Sequence, residues 1–91
     1  MLAHWNDKKN ETLRERHGFG FERVLVALAE GDLLDDRAHP NTGRYGHQRQ
    51  LIVRIGSYAW VVPFVQTEDG IFLKTMFPSR KATRRYLEKE K

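Results

Sequence analysis

At 91 residues, with 40% apolar and 31% charged side chains, the chain has room for one compact domain spanning 1–91 and none for a second module. The absence of cysteine excludes a disulfide framework, a thiolate zinc site and a cysteine nucleophile, and the longest apolar stretch, Tyr58 to Val65, is far shorter than the ~20 residues that cross a bilayer. The formal charge of +4 is lodged at one end: residues 1–77 carry ten Lys/Arg against ten Asp/Glu, and residues 78–91 carry six against two.

The first helix is expected to start at a cap on Asn6 or Asp7, whose side-chain oxygen accepts from first-turn N–H groups, and to run to about His17. Gly18 supplies its left-handed stop. Only Leu13 is strongly apolar within it, so this helix should lie over the surface. Phe21, Val24, Leu25 and Leu28 then fall at i, i+3, i+4 and i+7, one face of a second helix that Gly31 ends. Leu33-Leu34 begins a short strand, and Asp36 to His47 reads as a polar, mobile loop.

Gln50 to Ile55 and Tyr58 to Gln66, joined by Gly56-Ser57, form a β-hairpin by their β-branched and aromatic content. Pro63 has no N–H for a ladder, so it predicts an edge or a bulge there. After the turn Thr67 to Gly70, the segment Ile71 to Phe77 alternates Ile71, Leu73 and Thr75 against Phe72, Lys74 and Met76. Pro78-Ser79 stops that strand and caps a last helix, about Arg80 to Lys89. The fold class is therefore α+β: two N-terminal helices, an antiparallel sheet of three to four strands and a C-terminal helix.

The last helix carries the strongest chemical signal. Arg80, Lys81, Arg84 and Arg85 share one face within about 140° of arc, while Ala82, Thr83, Tyr86 and Leu87 occupy the other. Cations in a first turn oppose the helix dipole, and the pairs Arg80/Arg84 and Lys81/Arg85 repel at i,i+4. A bound phosphate relieves both conflicts, with the Ser79 hydroxyl and free N–H groups adding donors and Lys74 converging from the preceding strand. The other reading is a solvated face, with Glu88 and Glu90 offsetting the repulsion. Nucleic acid fits the charge better than a membrane, because no large apolar face accompanies it.

His4, His17, His39 and His47 show no tight ligand spacing, so no metal site and no cofactor are expected. Any of them can serve as an acid or base near neutral pH; His17 can equally sit against the negative end of its helix, and His39, His47 and Arg44 share the polar loop. Asp32, Asp35 and Asp36 suit turns and solubility better than a cation site.

Trp5-Asn6-Asp7-Lys8-Lys9-Asn10, Leu13, His17-Gly18 and Phe21-Glu22 resemble the opening W-D-x-K-x-x-x-N-x-x-K-H-G-x-x-F-E of the BrnT-type toxins. Ser79-Arg80-Lys81-Ala82-Thr83-Arg84-Arg85 is similar to that family's S-x-R-K-A-T-R-R signature, so the likeness covers nearly the whole chain. It departs at Asn6 for Asp, at Arg16 for Lys, at Lys74 where Arg is common, and at Pro63 and Pro78. The resemblance implies a RelE-like domain, a metal-independent endoribonuclease that inhibits translation, a cytoplasmic location and a BrnA-like antitoxin through which alone operator DNA is reached. It assigns Arg80 and Lys81 to the scissile phosphate, with Lys74 as a further charge or proton carrier and His17 as acid or base. RNA binding falls to Arg84, Arg85 and Arg44, and to Trp5 by stacking. The alternative function is a non-catalytic module whose basic helix face docks nucleic acid or an acidic protein.

Overall fold

The computed structural model describes residues 2–88, and among them it is an α+β fold of four helices and a mixed sheet of six strands. The elements run β1 (Leu2–His4), α1 (Asp7–His17), α2 (Phe21–Ala29), β2 (Leu33–Ala38), α3 (Thr42–Tyr45), β3 (Gln48–Ile55), β4 (Tyr58–Thr67), β5 (Gly70–Leu73), β6 (Phe77–Pro78) and α4 (Arg80–Leu87). Five strands lie in the order β1-β5-β4-β3-β2, and β6 pairs with β4 beyond the end of β5. The expected last-helix end at Lys89 and the offsetting Glu90 lie outside the described residues, as does Met1. Among the described residues no helix is long and apolar enough to cross a membrane.

The local signals act as read at both early helices. Asn6 caps α1 by accepting from Lys9 N–H at 2.9 Å, and Gly18 closes it at φ +86°. α1 is anchored by Leu13, which is fully buried, and by Asn10, buried although polar. Asn10 Oδ1 accepts from Phe21 N–H at 2.7 Å, and its amide donates to Glu22 at 2.9 Å. It therefore supplies from α1 the cap that Gly20, having no side chain, cannot supply to α2. A Cβ on Gly20 would stand 2.1 Å from Asn10 Oδ1, so the joint requires glycine.

The sheet expectation needs three corrections. The sheet is mixed and larger than three to four antiparallel strands, because β1 pairs in parallel with β5. A Cβ on Gly70 would meet the Leu2 carbonyl oxygen at 1.9 Å, so Gly70, read as a turn residue, also admits this strand. The supposed polar loop contains the second half of β2 and the short α3. Asp36 ion-pairs with Arg49 at 3.0 Å and Asp35 accepts from Tyr86, partners remote in sequence that make a polar segment extended. A bulge at Leu34 turns both Leu34 and Asp35 toward α4.

Pro63 explains the third correction. It sits in the central strand β4, opposite Gln50 of β3, so the edge alternative fails, while the expected irregularity is present in the neighbouring strand. Its carbonyl accepts from Lys74 N–H at 2.8 Å, so its missing N–H faces the β5/β6 side, where the partner strand is interrupted over residues 74–76. The interruption resets the alternation: Met76 joins Ile71 and Leu73 in the core, whereas strict alternation places it beside Lys74.

Helices lie on both faces of the sheet. Leu51, Val53, Trp60, Val62, Phe64 and Leu73 form the main core with Leu13, Phe21, Val24 and Ala27 of α1 and α2. On the opposite face Ile52, Ala59 and Val61 meet Ala82 of α4, with Leu34, Tyr86 and Leu87 around them. α4 is fastened by its own backbone cap. Ser79 N–H donates to Ala59 C=O at 3.0 Å, and Thr83 Oγ1 accepts from Ala59 N–H and donates to Ser79 C=O, each at 2.8 Å.

Thr83→Val preserves the shape but leaves the buried Ala59 N–H without an acceptor. Urea unfolding should show a loss of about 1–3 kcal/mol with a native far-ultraviolet spectrum. A change below about 0.5 kcal/mol would show that this bond does not hold the helix.

Candidate functional site

α4 begins where β6 leaves the sheet, and Ser79 Oγ accepts from Ala82 N–H at 3.0 Å. The Ser79 oxygen is thus engaged as a helix cap. With Ala82 and Thr83 buried against β4, the amphipathic period directs Arg80, Lys81, Arg84 and Arg85 to solvent, where they border one open hollow. The sequence placed these four together, and so does the fold.

Two of the four also border a more enclosed groove. Lys81 and Arg85 form its helical wall, Arg37 of β2 and Gln50 of β3 the opposite wall, Val61 of β4 its floor and Phe77 of β6 one end, in a volume of about 410 Å³. Arg37 Nε donates to Gln50 Oε1 at 3.1 Å. A guanidinium has only donors, so the atom facing it is the amide oxygen, and the Gln50 NH₂ group is left for other partners. Arg85 lies over the Tyr86 ring, 5.6 Å from its centre, and the Tyr86 hydroxyl donates to Asp35 at 2.5 Å. That hydrogen bond is the main reason the Asp35 carboxyl is held below its ordinary range, with Arg37 and Arg85 contributing through their charge.

The remaining candidates are distributed elsewhere. Lys74 is exposed in the strand interruption, its Nζ 5.6 Å from the centre of the Phe72 ring; Phe72 alternates with buried Ile71 and Leu73, so this lysine shares the α4 face without bordering the groove. Arg44 lies in α3, where its N–H donates to the Asn41 cap at 3.2 Å. Trp5 stacks on Phe21, centroids 5.6 Å apart, at the margin of the main core.

His17 lies on the other face. Its ring meets Trp60 edge-on at 4.9 Å, and Trp60 and the groove-floor residue Val61 point to opposite sides of β4. The sheet therefore separates His17 from Lys81 and Arg85. Its Nε2 is buried and has no hydrogen-bond partner among the described residues.

Arg37, Gln50 and Phe77 are the groove residues that sequence reasoning missed. Arg37 fell in the supposed loop, and Gln50 and Phe77 were read only as strand ends. The segment Leu33 to Ala38 holds no β-branched or aromatic residue, so nothing local marked its strand beyond the two leucines.

Comparison with family models, with curated proteins and with solved structures gives no match for this chain. Its function is therefore read from its own residues.

Burial, followed by the neighbouring Arg16 charge, lowers the His17 pKa in the folded state. Above the ordinary histidine value both folded and unfolded forms hold a neutral ring, and stability is complete. As pH falls below about 6.5, the unfolded chain takes up a proton that the folded chain resists, so stability is lost until pH passes the folded value. Urea unfolding between pH 7.5 and 5.5 should show this decline, and His17→Phe should reduce it. Parallel curves for the two proteins would exclude His17 as its source.

Proposed function

We propose that this chain is a BrnT-type toxin of RelE-like fold, a cytoplasmic endoribonuclease that takes single-stranded RNA into the groove between α4 and the sheet. The observation that carries the reading is the convergence of Arg37, Lys81 and Arg85, from two elements far apart in sequence, on a groove with no carboxylate among its lining residues. Such a surface attracts a polyanion before any contact forms. A single strand fits the groove because its bases are free to turn inward, which a duplex does not allow.

RNA cleavage needs no external nucleophile. The 2′-oxygen attacks the adjacent phosphorus while a base removes its proton; the bond to the 5′-oxygen breaks as an acid protonates it, leaving a 2′,3′-cyclic phosphate and a 5′-hydroxyl. Lys81, Arg85 and Arg37 suit the crowded, charged phosphorane, and the planar Arg37 fork, held by Gln50, can engage two of its oxygens. The Lys81 ammonium is the one lining group able to protonate the departing oxygen at neutral pH without being a guanidinium. A cognate BrnA-like antitoxin would place acidic residues over this face, and operator DNA would be engaged only through it.

One observation favours the non-catalytic module instead. Among the lining residues there is no histidine or carboxylate to act as base, and His17 lies across the sheet. Incubation of end-labelled single-stranded RNA with the protein in EDTA separates the two readings: the toxin reading expects cyclic-phosphate products, and binding without products supports the module. In either case log affinity should fall with log salt at about −0.7 per phosphate engaged. Lys81→Ala should remove about one such increment, and Arg80→Ala, outside the groove, should change less. Equal slopes for all three proteins would exclude the groove as the RNA site.

A further inference from the structure

The groove differs from a simple phosphate cradle in having an apolar end and an amide. Phe77 is 42% exposed, one of few large apolar side chains so placed, and borders the same space as the cations. β6 presents it from one flank of β4, paired to Val61, while Gln50 stands on the other flank, paired to Pro63. Two strand spacings, about 10 Å across the sheet, and a two-residue offset of about 7 Å along β4 put the two about 12 Å apart, with Val61 and Pro63 between them. Backbone phosphates alone would leave an aromatic ring exposed beside a buried glutamine to no purpose.

We infer that this part of the groove is a nucleobase pocket, in which one unpaired guanine stacks on Phe77 and presents its O6 and N7 edge to the Gln50 amide and the Arg37 guanidinium. The inference rests on the proposed RNA reading and specifies which part of the RNA is recognised. Guanine follows from hydrogen-bond polarity. Arg37 engages Gln50 Oε1, so the side-chain hydrogen-bonding groups that Gln50, Arg37 and Lys81 have left for a ligand are all donors: the Gln50 NH₂, the Arg37 amino groups and the Lys81 ammonium. Guanine has two adjacent acceptors on that edge, whereas adenine sets an amino group beside N7, opposing donor to donor. Stacking adds affinity for any base, and the edge then selects among them.

The test uses short RNA-backbone strands built from abasic spacers, carrying no base, one guanine, one adenine or one 7-deazaguanine, with affinity read by fluorescence anisotropy. A guanine should tighten binding about tenfold over the base-free strand, and about tenfold over adenine. The 7-deaza base, lacking the N7 acceptor, should lose most of that second advantage without any change to the protein. Phe77→Leu, an exposed substitution whose fold is checked by thermal unfolding, should abolish the gain from the base, read as the ratio of guanine-bearing to base-free affinity within the variant itself. Equal affinity for strands with and without guanine overturns the pocket while the RNA reading stands. Equal affinity for guanine, adenine and 7-deazaguanine overturns the edge recognition. Failure of every strand to bind overturns the proposed function together with it.

Discussion

The fold turns on two backbone positions in β4 that are not paired strand to strand on the β5/β6 side. Pro63 has no N–H to give, and the strand beside it breaks over residues 74–76, where a donor would otherwise be needed. The chain returns to β4 only at Trp60 and Val61 and leaves at once into α4. At Ala59 the sheet-side N–H and C=O are taken by Thr83 and Ser79 instead of by another strand. One missing donor thus sets where the ladder ends, and one residue's two polar groups set how the basic helix is fastened.

The residues that carry the resemblance divide physically into two sets. Asn10, Gly18, Phe21 and Glu22 build the joint between α1 and α2, and Ser79, Ala82 and Thr83 build the joint between α4 and β4. These side chains are consumed by the fold. Arg80, Lys81, Arg84 and Arg85 make no such joint and face solvent. His17 belongs with the first set, because its ring fills space against Trp60 and its buried nitrogen favours the neutral form. A chain can therefore keep most of such a pattern for structural reasons alone, and only the solvent-facing cations point to chemistry.

Legibility in the sequence followed the range of the interactions. The Asn6 cap, the Gly18 stop, the β3–β4 hairpin and the cationic face of α4 depend on neighbours within a few residues, and their patterns stand in the chain itself. β1 is three residues long and depends on Gly70, far away in sequence, so no local pattern marks it. The start of β2 at Leu33-Leu34 is legible, but its second half reads as loop because the aspartates look solvated, although Asp35 reaches Tyr86 and Asp36 reaches Arg49. The site divides in the same way. Its helical wall was legible, and its sheet wall was hidden because Arg37 and Gln50 meet only after β2 and β3 pair.

A cluster of cations stays available to a ligand only where the folded chain leaves its donors unspent. Asp35 is near enough to Arg37 and Arg85 for their charges to help keep it ionised, yet it accepts hydrogen bonds from the Tyr86 hydroxyl and the Asp36 backbone N–H. Arg37 spends its Nε on the neutral Gln50, and the Arg85 guanidinium lies over the Tyr86 ring. Among the described residues no ion pair joins Arg37, Lys81 or Arg85 to a carboxylate. The carboxylate thus lowers the mutual repulsion of the cations through space without occupying their donors. An ion pair would have stabilised the empty groove and then opposed an anionic ligand; this arrangement positions the cations and leaves their hydrogen bonds to be made by what binds.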